Sequence, residues 1–522
     1  MKEQKAGKLF SPLFYCLLLS SLALYIWIFA NTPYGQDDWH WGIDYGMNAL
    51  LTGSINSRYV GNLLEVIVTR SAFLKAVLHG LIAAAIPFFI VLMVMACPGT
   101  RPVPELGGKA SRLPEAVLLL SNILFLTLPI DVWKETYGWI AGFSNFGFAV
   151  FFLGAFQLLL SRLVLDEAPR FSWLAGLGYF LFGLTIQLVL ENMTIYVFLV
   201  DALLLVIMMM EKRSRAAKHL MLLMLAGNAI GLFIMFSSSI YTSLFDTGKA
   251  LGGYRTLAFD PNDSLYNIFL VLNQRFMYFY PHRIFGNNWL MCSLISLLLY
   301  LLSGRRKGLI RFGLRMFALF YFVYFVLTHF FGLLEDHISR WNEMYTQWLN
   351  ILFFWGVLLS VLLLPWEGTR LRRVLIFVWL SVLGILLPLV AVKIVGSRYF
   401  LFSSFFLVEF GMFLLAEVYK DRGKQLRIPE CFILLAFLLV GICKFSIYHD
   451  IGRAFSERMA LIRAAQNGET DRLYFEDLPH KEYIEINEPL DGSEHVAPYR
   501  EFYHIPDSVE MHNSLEDFSP EE

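Results

Sequence analysis

"LFSPLFYCLLLSSLALYIWIFA", Leu9–Ala30, is the stretch whose reading decides the fold. It carries no charged residue, and about 20 apolar residues are enough to cross a bilayer as a helix. Lys2, Lys5 and Lys8 precede it like the n-region of a signal peptide. The run is nevertheless longer than an h-region of about 7–15 residues and lacks a small-x-small cleavage site. It reads as an uncleaved signal anchor, and the chain downstream repeats the pattern.

Of 522 residues, 57% are hydrophobic and 16% charged, against about 25% charged in soluble domains. The expected class is an all-α polytopic membrane protein. Apolar segments centre on residues 9–31, 73–96, 114–130, 145–163, 172–190, 193–210, 219–236, 286–302, 316–334, 346–365, 374–392, 399–418 and 429–446. These predict about 13 transmembrane helices. The five cysteines are scattered and show no metal-ligand spacing, so no cofactor is expected. A divalent metal is not indicated.

The net charge of −1 conceals a division. From Asp450 onward there are 18 acids and 6 bases, whereas the preceding chain holds 25 acids and 36 bases. The predicted organisation is a membrane domain, 1–446, followed by an acidic tail, 447–522. Loops rich in Lys and Arg alternate with loops that are not, and the positive-inside rule assigns the basic set to the cytoplasm. The N-terminus is then cytoplasmic, and an odd number of spans places the tail outside a plasma (inner) membrane.

The outer loops carry the informative acids. The first, 32–71, begins "NTPYGQDDWHWGIDYG" and sets Asp37 and Asp38 among Tyr34, Trp39, His40 and Trp41. Asp38 is placed to cap a helix over "WHWGIDYGMNALL" that Gly53 ends. A second amphipathic helix fits "RYVGNLLEVIVTR", with Tyr59, Leu63, Val66 and Arg70 on one face. Another outer loop, 237–287, predicts an interfacial helix with an aromatic belt. In the tail, "RLYFEDL" and "EYIEIN" alternate like short strands after a polar helix with a glycine stop, which predicts a small α/β appendage.

An acidic pair in a loop is commonly a helix cap with a solvated neighbour, and interfacial tryptophans are commonly anchors. Together they also form a surface suited to sugar: flat rings beside a carboxylate whose pKa shielding can raise. Outer arginines are few (Arg58, Arg70, Arg255, Arg275, Arg283, Arg340 and Arg398), and of these Arg255 or Arg398 could hold a phosphate or merely snorkel to headgroups. Glu135, Trp139, Asn145 and Glu191 are further polar candidates. Glu335, Asp336 and His337 form a weaker metal-like grouping.

A first transmembrane helix followed by a long outer loop with an acidic pair resembles the GT-C class of membrane glycosyltransferases. "GQDDWHWG", "INSRYVGNLLEVIVTR", "YGWIAGFSNF", "LPLVAVKIVGSRYF" and "RMALIRAAQNGETDRLYFEDLP" are similar to bacterial membrane proteins related to the O-antigen glucosyltransferase group. The resemblance implies a hexosyltransferase-like enzyme that uses a polyprenyl-phosphate sugar donor in cell-envelope polysaccharide biosynthesis. The acceptor would be a cell-surface glycan or glycolipid, the surroundings membrane lipid, with no nucleic acid partner. Asp37 and Asp38 would be catalytic, with Asp37 as general base; Trp39, His40, Trp41, Arg58, Glu135, Trp139, Asn145, Glu191, Arg255 and Arg398 would contact substrate. The alternatives are a polysaccharide polymerase and a non-catalytic flippase of lipid-linked oligosaccharides.

Overall fold

The computed structural model describes residues 10–97, 112–165, 170–211, 213–247, 256–260, 262–330, 340–366, 368–393, 395–422, 427–486 and 495–513. Arg255 and the Glu335–His337 grouping lie outside them. The described chain is mostly helical. Long apolar runs leave the backbone no partner in lipid but itself, and a helix satisfies every internal N–H and C=O.

The chain opens with α1 (Pro12–Asn31), which Ser11 caps by accepting from the Phe14 N–H. The first loop follows as three short helices, α2 (Asp37–Gly42), α3 (Asp44–Thr52) and α4 (Tyr59–Thr69). Then come α5 (Ala72–Ala96), α6 (Leu113–Leu126), α7 (Ile130–Lys134) and α8 (Ile140–Val164). The bundle continues through α9 (Trp173–Gln187), α10 (Glu191–Met210), α11 (Arg215–Phe236), α12 (Ser239–Thr247) and α13 (Leu265–Gly286). It closes with α14 (Trp289–Leu302), α15 (Gly308–Phe330), α16 (Arg340–Leu363), α17 (Thr369–Gly384), α18 (Phe400–Arg422) and α19 (Arg427–Gln466).

Among the described residues, 10 helices are long and apolar enough to span a membrane, or 11 if α13 and α14, bent by 90°, form one span. Each predicted apolar segment contains a helix, but α6 has 14 residues and α9 has 15. At 1.5 Å per residue these reach about 21–23 Å, short of a hydrocarbon core of about 30 Å. The expected 13 is therefore larger than the number of helices that meet the length criterion. α9 and α11 lie against each other at a pair of glycines. A Cβ on Gly183 would stand 2.3 Å from the Met224 carbonyl, and one on Gly227 2.1 Å from that of Phe180. Small residues are what allow helix backbones in a bilayer to meet this closely.

Two elements position the candidate site. The 18-residue apolar core of the span around α18 is entirely buried; a helix apolar all round is at home only in the bundle centre. Its N-terminal approach carries Arg398 to the middle of one end of the protein. The second element is α19, 40 residues long and about 60 Å from end to end. It runs unbroken through the expected domain boundary at 446/447, and its extra turns rise past the bundle to carry the tail. Gly468, at φ 76, follows its end.

The tail is a small α/β unit, although its sheet differs from the expected one. β1 (Arg472–Phe475) pairs in parallel with β2 (Glu510–Asn513), Leu473 opposite Met511. The described part of "EYIEIN", residues 482–486, is not a strand; it begins in a short 3-10 turn, Lys481–Tyr483. Its alternation instead serves docking: the Glu485 N–H donates to the Gly138 carbonyl at 3.1 Å. Helix α20 (Val496–Tyr503) sets Tyr499 against Trp39, ring centres 4.8 Å apart. The tail thus packs on the first loop, and both lie at the same end of the molecule.

Candidate functional site at the loop–tail end

The chain leaves α1 in a tight turn. Gln36 adopts φ 42, a left-handed conformation uncommon outside glycine, and its amide donates to Glu485 Oε1 at 3.0 Å. The turn throws the next two side chains in different directions. Asp38 is fully buried and does not cap the helix, as the sequence had suggested. It lies inside the first turn of α2, where one carboxylate oxygen accepts from the Gly35 N–H at 2.9 Å. The other accepts from the Ala141 N–H of α8 at 2.7 Å. It is a tie between loop and bundle. Burial pushes its carboxyl up to about 8, against those two N–H groups, while the charge of Asp37 adds to the rise. Lys75 lies nearby, donating to the Thr32 carbonyl at 2.5 Å over the Tyr34 ring.

Asp37 keeps an exposed surface, yet protein surrounds it closely enough for burial to raise its carboxyl above the ordinary aspartate range. A group both exposed and crowded lies on the wall of a recess. Arg398 acts most strongly to lower it again, followed by His40, His495 and Arg58. Residues from α2, the start of α4, the approach to α18 and the tail therefore meet around one carboxylate.

The two arginines are held differently. Arg58, buried before α4, grips Glu191 at the start of α10 through two bonds of 2.9 and 2.8 Å, and the Tyr241 hydroxyl donates to the same carboxylate at 2.5 Å. Arg398 donates its backbone N–H to Glu135 Oε2 at 3.1 Å. Its guanidinium lies 5.2 Å from the Trp139 ring and 5.4 Å from Phe146, in cation–π range, and its Nε has no hydrogen-bond partner.

A third carboxylate joins them. Glu65 of α4 is buried and accepts from the Asn145 side chain at 3.1 Å. Burial and the charges of Asp38 and Asp37 hold it well above the usual glutamate range. Asn145 reaches it from a π-helical turn, Phe143–Gly147, at the start of α8, a distortion frequent at functional sites. Gly61 makes the approach possible, since a Cβ there would stand 2.7 Å from Asn145 Oδ1. Several buried polar atoms at this end lack a protein partner: Glu65 Oε1, Asn145 Oδ1, Trp139 Nε1 and both side-chain termini of Asn192. Leaving such atoms unsatisfied costs about 1–3 kcal/mol each, so a cluster of them points to a polar ligand or ordered water.

The structure thus gathers Asp37, His40, Arg58 and Arg398 around one recess, with Glu135 and Trp139 attached through Arg398, Glu191 through Arg58, and Asn145 through Glu65. Trp39 and Trp41 do not offer the open ring faces expected of them. Trp39 is sealed under Tyr499, and Trp41 packs with Ala49 and Val66. Helix α4 is buried on more of its surface than expected: Leu64, Val66 and Val68 pack inward together with the polar Asn62 and Glu65, and Leu63 and Ile67 are left 49% and 37% exposed. Glu65, Lys75, Tyr241 and His495 were missed. Glu65 and Lys75 had a visible signal, a lone charge inside an apolar run; Tyr241 and His495 had none, because chain folding alone brings them here.

Among the described residues, no three His, Cys, Asp or Glu side chains are placed to hold a metal ion. Comparison of the chain with family models, curated proteins and solved structures finds no match.

Proposed function

We propose that this recess is the active site of a GT-C-like membrane glycosyltransferase, working at the extracytoplasmic face with a polyprenyl-phosphate sugar as donor. The observation that carries the reading is the convergence of an accessible, pKa-raised carboxylate, Asp37, with the Arg398 and Arg58 guanidinium groups. An acceptor hydroxyl surrenders its proton to Asp37 as its oxygen attacks the anomeric carbon. The bond from that carbon to the phosphate oxygen breaks, and the lipid phosphate leaves carrying the electron pair. Arg398 is suited to meet that charge. Asn145, Asn192 and Trp139 offer hydrogen-bonding atoms to sugar hydroxyls. Asp38 serves by fixing loop to bundle through the Gly35 and Ala141 N–H groups.

The test is transfer from a labelled polyprenyl-phosphate hexose by the purified protein. Asp37→Asn should retain the donor and lose transfer. Wild-type protein that moves the donor across vesicles without cleaving it would replace this reading with a carrier.

A further inference from the structure

Asn192 differs from the other polar groups of the recess. It is buried in the first turn of α10, between the fully buried Leu190 and Met193, and both ends of its amide, Oδ1 and Nδ2, lack a hydrogen-bond partner. Among the described residues no other side chain has two such atoms. Its direction follows from helical spacing. Asn192 lies one turn before Tyr196, on the same face of α10. The Tyr196 hydroxyl donates to Ser381 of α17 at 2.6 Å, and its ring meets Phe406 of α18, centres 5.9 Å apart. Helices α10 and α18 both begin at the end that holds the recess, so one turn back along each, about 6 Å, sets Asn192 level with Phe402. Phe402 packs against Phe146, 6.4 Å between ring centres, and Phe146 is the ring beside the Arg398 guanidinium. The unpaired amide therefore faces the layer next to the arginine suited to the donor phosphate.

A side-chain amide presents a donor and an acceptor side by side, pointing the same way. One hydroxyl oxygen cannot lie in line with both, and a carboxylate brings no donor for Oδ1. A second amide meets both at once, its N–H donating to Oδ1 and its C=O accepting from Nδ2. We propose that Asn192 pairs in this way with the acetamido group of the transferred sugar, so that the donor is a polyprenyl-phosphate N-acetylhexosamine; this rests on the glycosyltransferase reading of the recess. The rings of Phe146 and Phe402, both buried, suit the acetamido methyl. The phosphate meets Arg398, and the sugar extends from it toward Asn192.

Native mass spectrometry of the full chain in detergent tests it, with polyprenyl-phosphate N-acetylglucosamine, polyprenyl-phosphate glucose and bare polyprenyl phosphate as probes. The acetamido lipid should be retained roughly ten- to hundredfold above the glucose lipid, the scale of two neutral hydrogen bonds. Asn192→Leu should remove that preference without lowering the melting temperature, since it takes away an unpaired buried amide. Asn192→Asp, which keeps the shape and loses the donor, should remove it too. Equal retention of both sugar lipids by wild type, or a preference that survives both substitutions, overturns the inference; transfer of either sugar under those conditions leaves the glycosyltransferase reading intact. Preferential retention of the acetamido lipid with no sugar released from it supports the inference and overturns that reading instead.

Discussion

Two ends of one helix handle charge in opposite ways. At its far end, α18 presents Glu417 and Asp421 to Arg305. The guanidinium bonds Glu417 at 2.8 Å and Asp421 at 2.7 and 2.9 Å, with Lys420 closing on Glu417 at 2.5 Å. Both of these carboxylates have a cation. At its near end, about 34 Å away along the helix axis, Arg398 meets a region where Asp37, Asp38 and Glu65 make no direct ion pair among the described residues and buried amides lack partners. Complete pairing locks two helices together, whereas incomplete pairing stores electrostatic free energy that a substrate can release. The contrast teaches where to look for chemistry in a protein whose ends are both charged.

The sharpest way to break this contrast is Asp37→Asn. Loss of a general base costs about 10² to 10⁴ in rate, so transfer should nearly vanish with folding intact; wild-type turnover would reduce the recess to a structural feature. Next comes Arg58→Ala, which strands the buried Glu191. Breaking a buried pair costs about 3–5 kcal/mol, read as a lowered melting temperature in detergent, and Arg58→Met/Glu191→Leu should recover most of it. If the double variant is as unstable as the single one, the pair is not what holds α4 to α10.

At the fully paired Arg305 cluster, Arg305→Gln should cost about 1.5–3 kcal/mol of stability and leave transfer unchanged. A fall in activity there would erase the division between the ends. The smallest effect concerns Asp38. Its pKa is raised on folding to about 8, from about 3.9 in an unfolded chain. The folded protein therefore binds the extra proton between these values, and that contribution to stability is lost as pH rises through about 8. Asp38→Asn should cost about 1–2 kcal/mol at neutral pH, because an amide cannot accept both N–H bonds. It should also flatten the stability profile between pH 4 and 8. An unaltered slope would show that Asp38 does not titrate in this window.

The pH dependence of transfer sharpens the comparison from the other side. Asp37 must be ionised to act, so the rate should climb tenfold per pH unit and level off above the usual aspartate value near 4. That limb should be absent in Asp37→Asn.

The sequence by itself determined the class of protein, the helical segments, the position of the acidic pair at the exit of α1, and several partners of the recess. Composition and apolar periodicity are local properties, and a bilayer leaves a long apolar run one regular solution. It misjudged orientation wherever orientation depends on neighbours. Helix α4 has the amphipathic pattern of a surface helix, but it is buried on most sides, and Asn62 and Glu65 go inward together with Leu64, Val66 and Val68. Asp38 has the sequence context of a cap, but Ala141, more than a hundred residues on, claims its oxygen. Trp39 has the look of a sugar platform, but the tail covers it. Only the tertiary structure decided which of two adjacent aspartates is buried and which lines the recess. That outcome depends on α8, the approach to α18 and the tail arriving at one place, and no local pattern in the chain encodes their meeting.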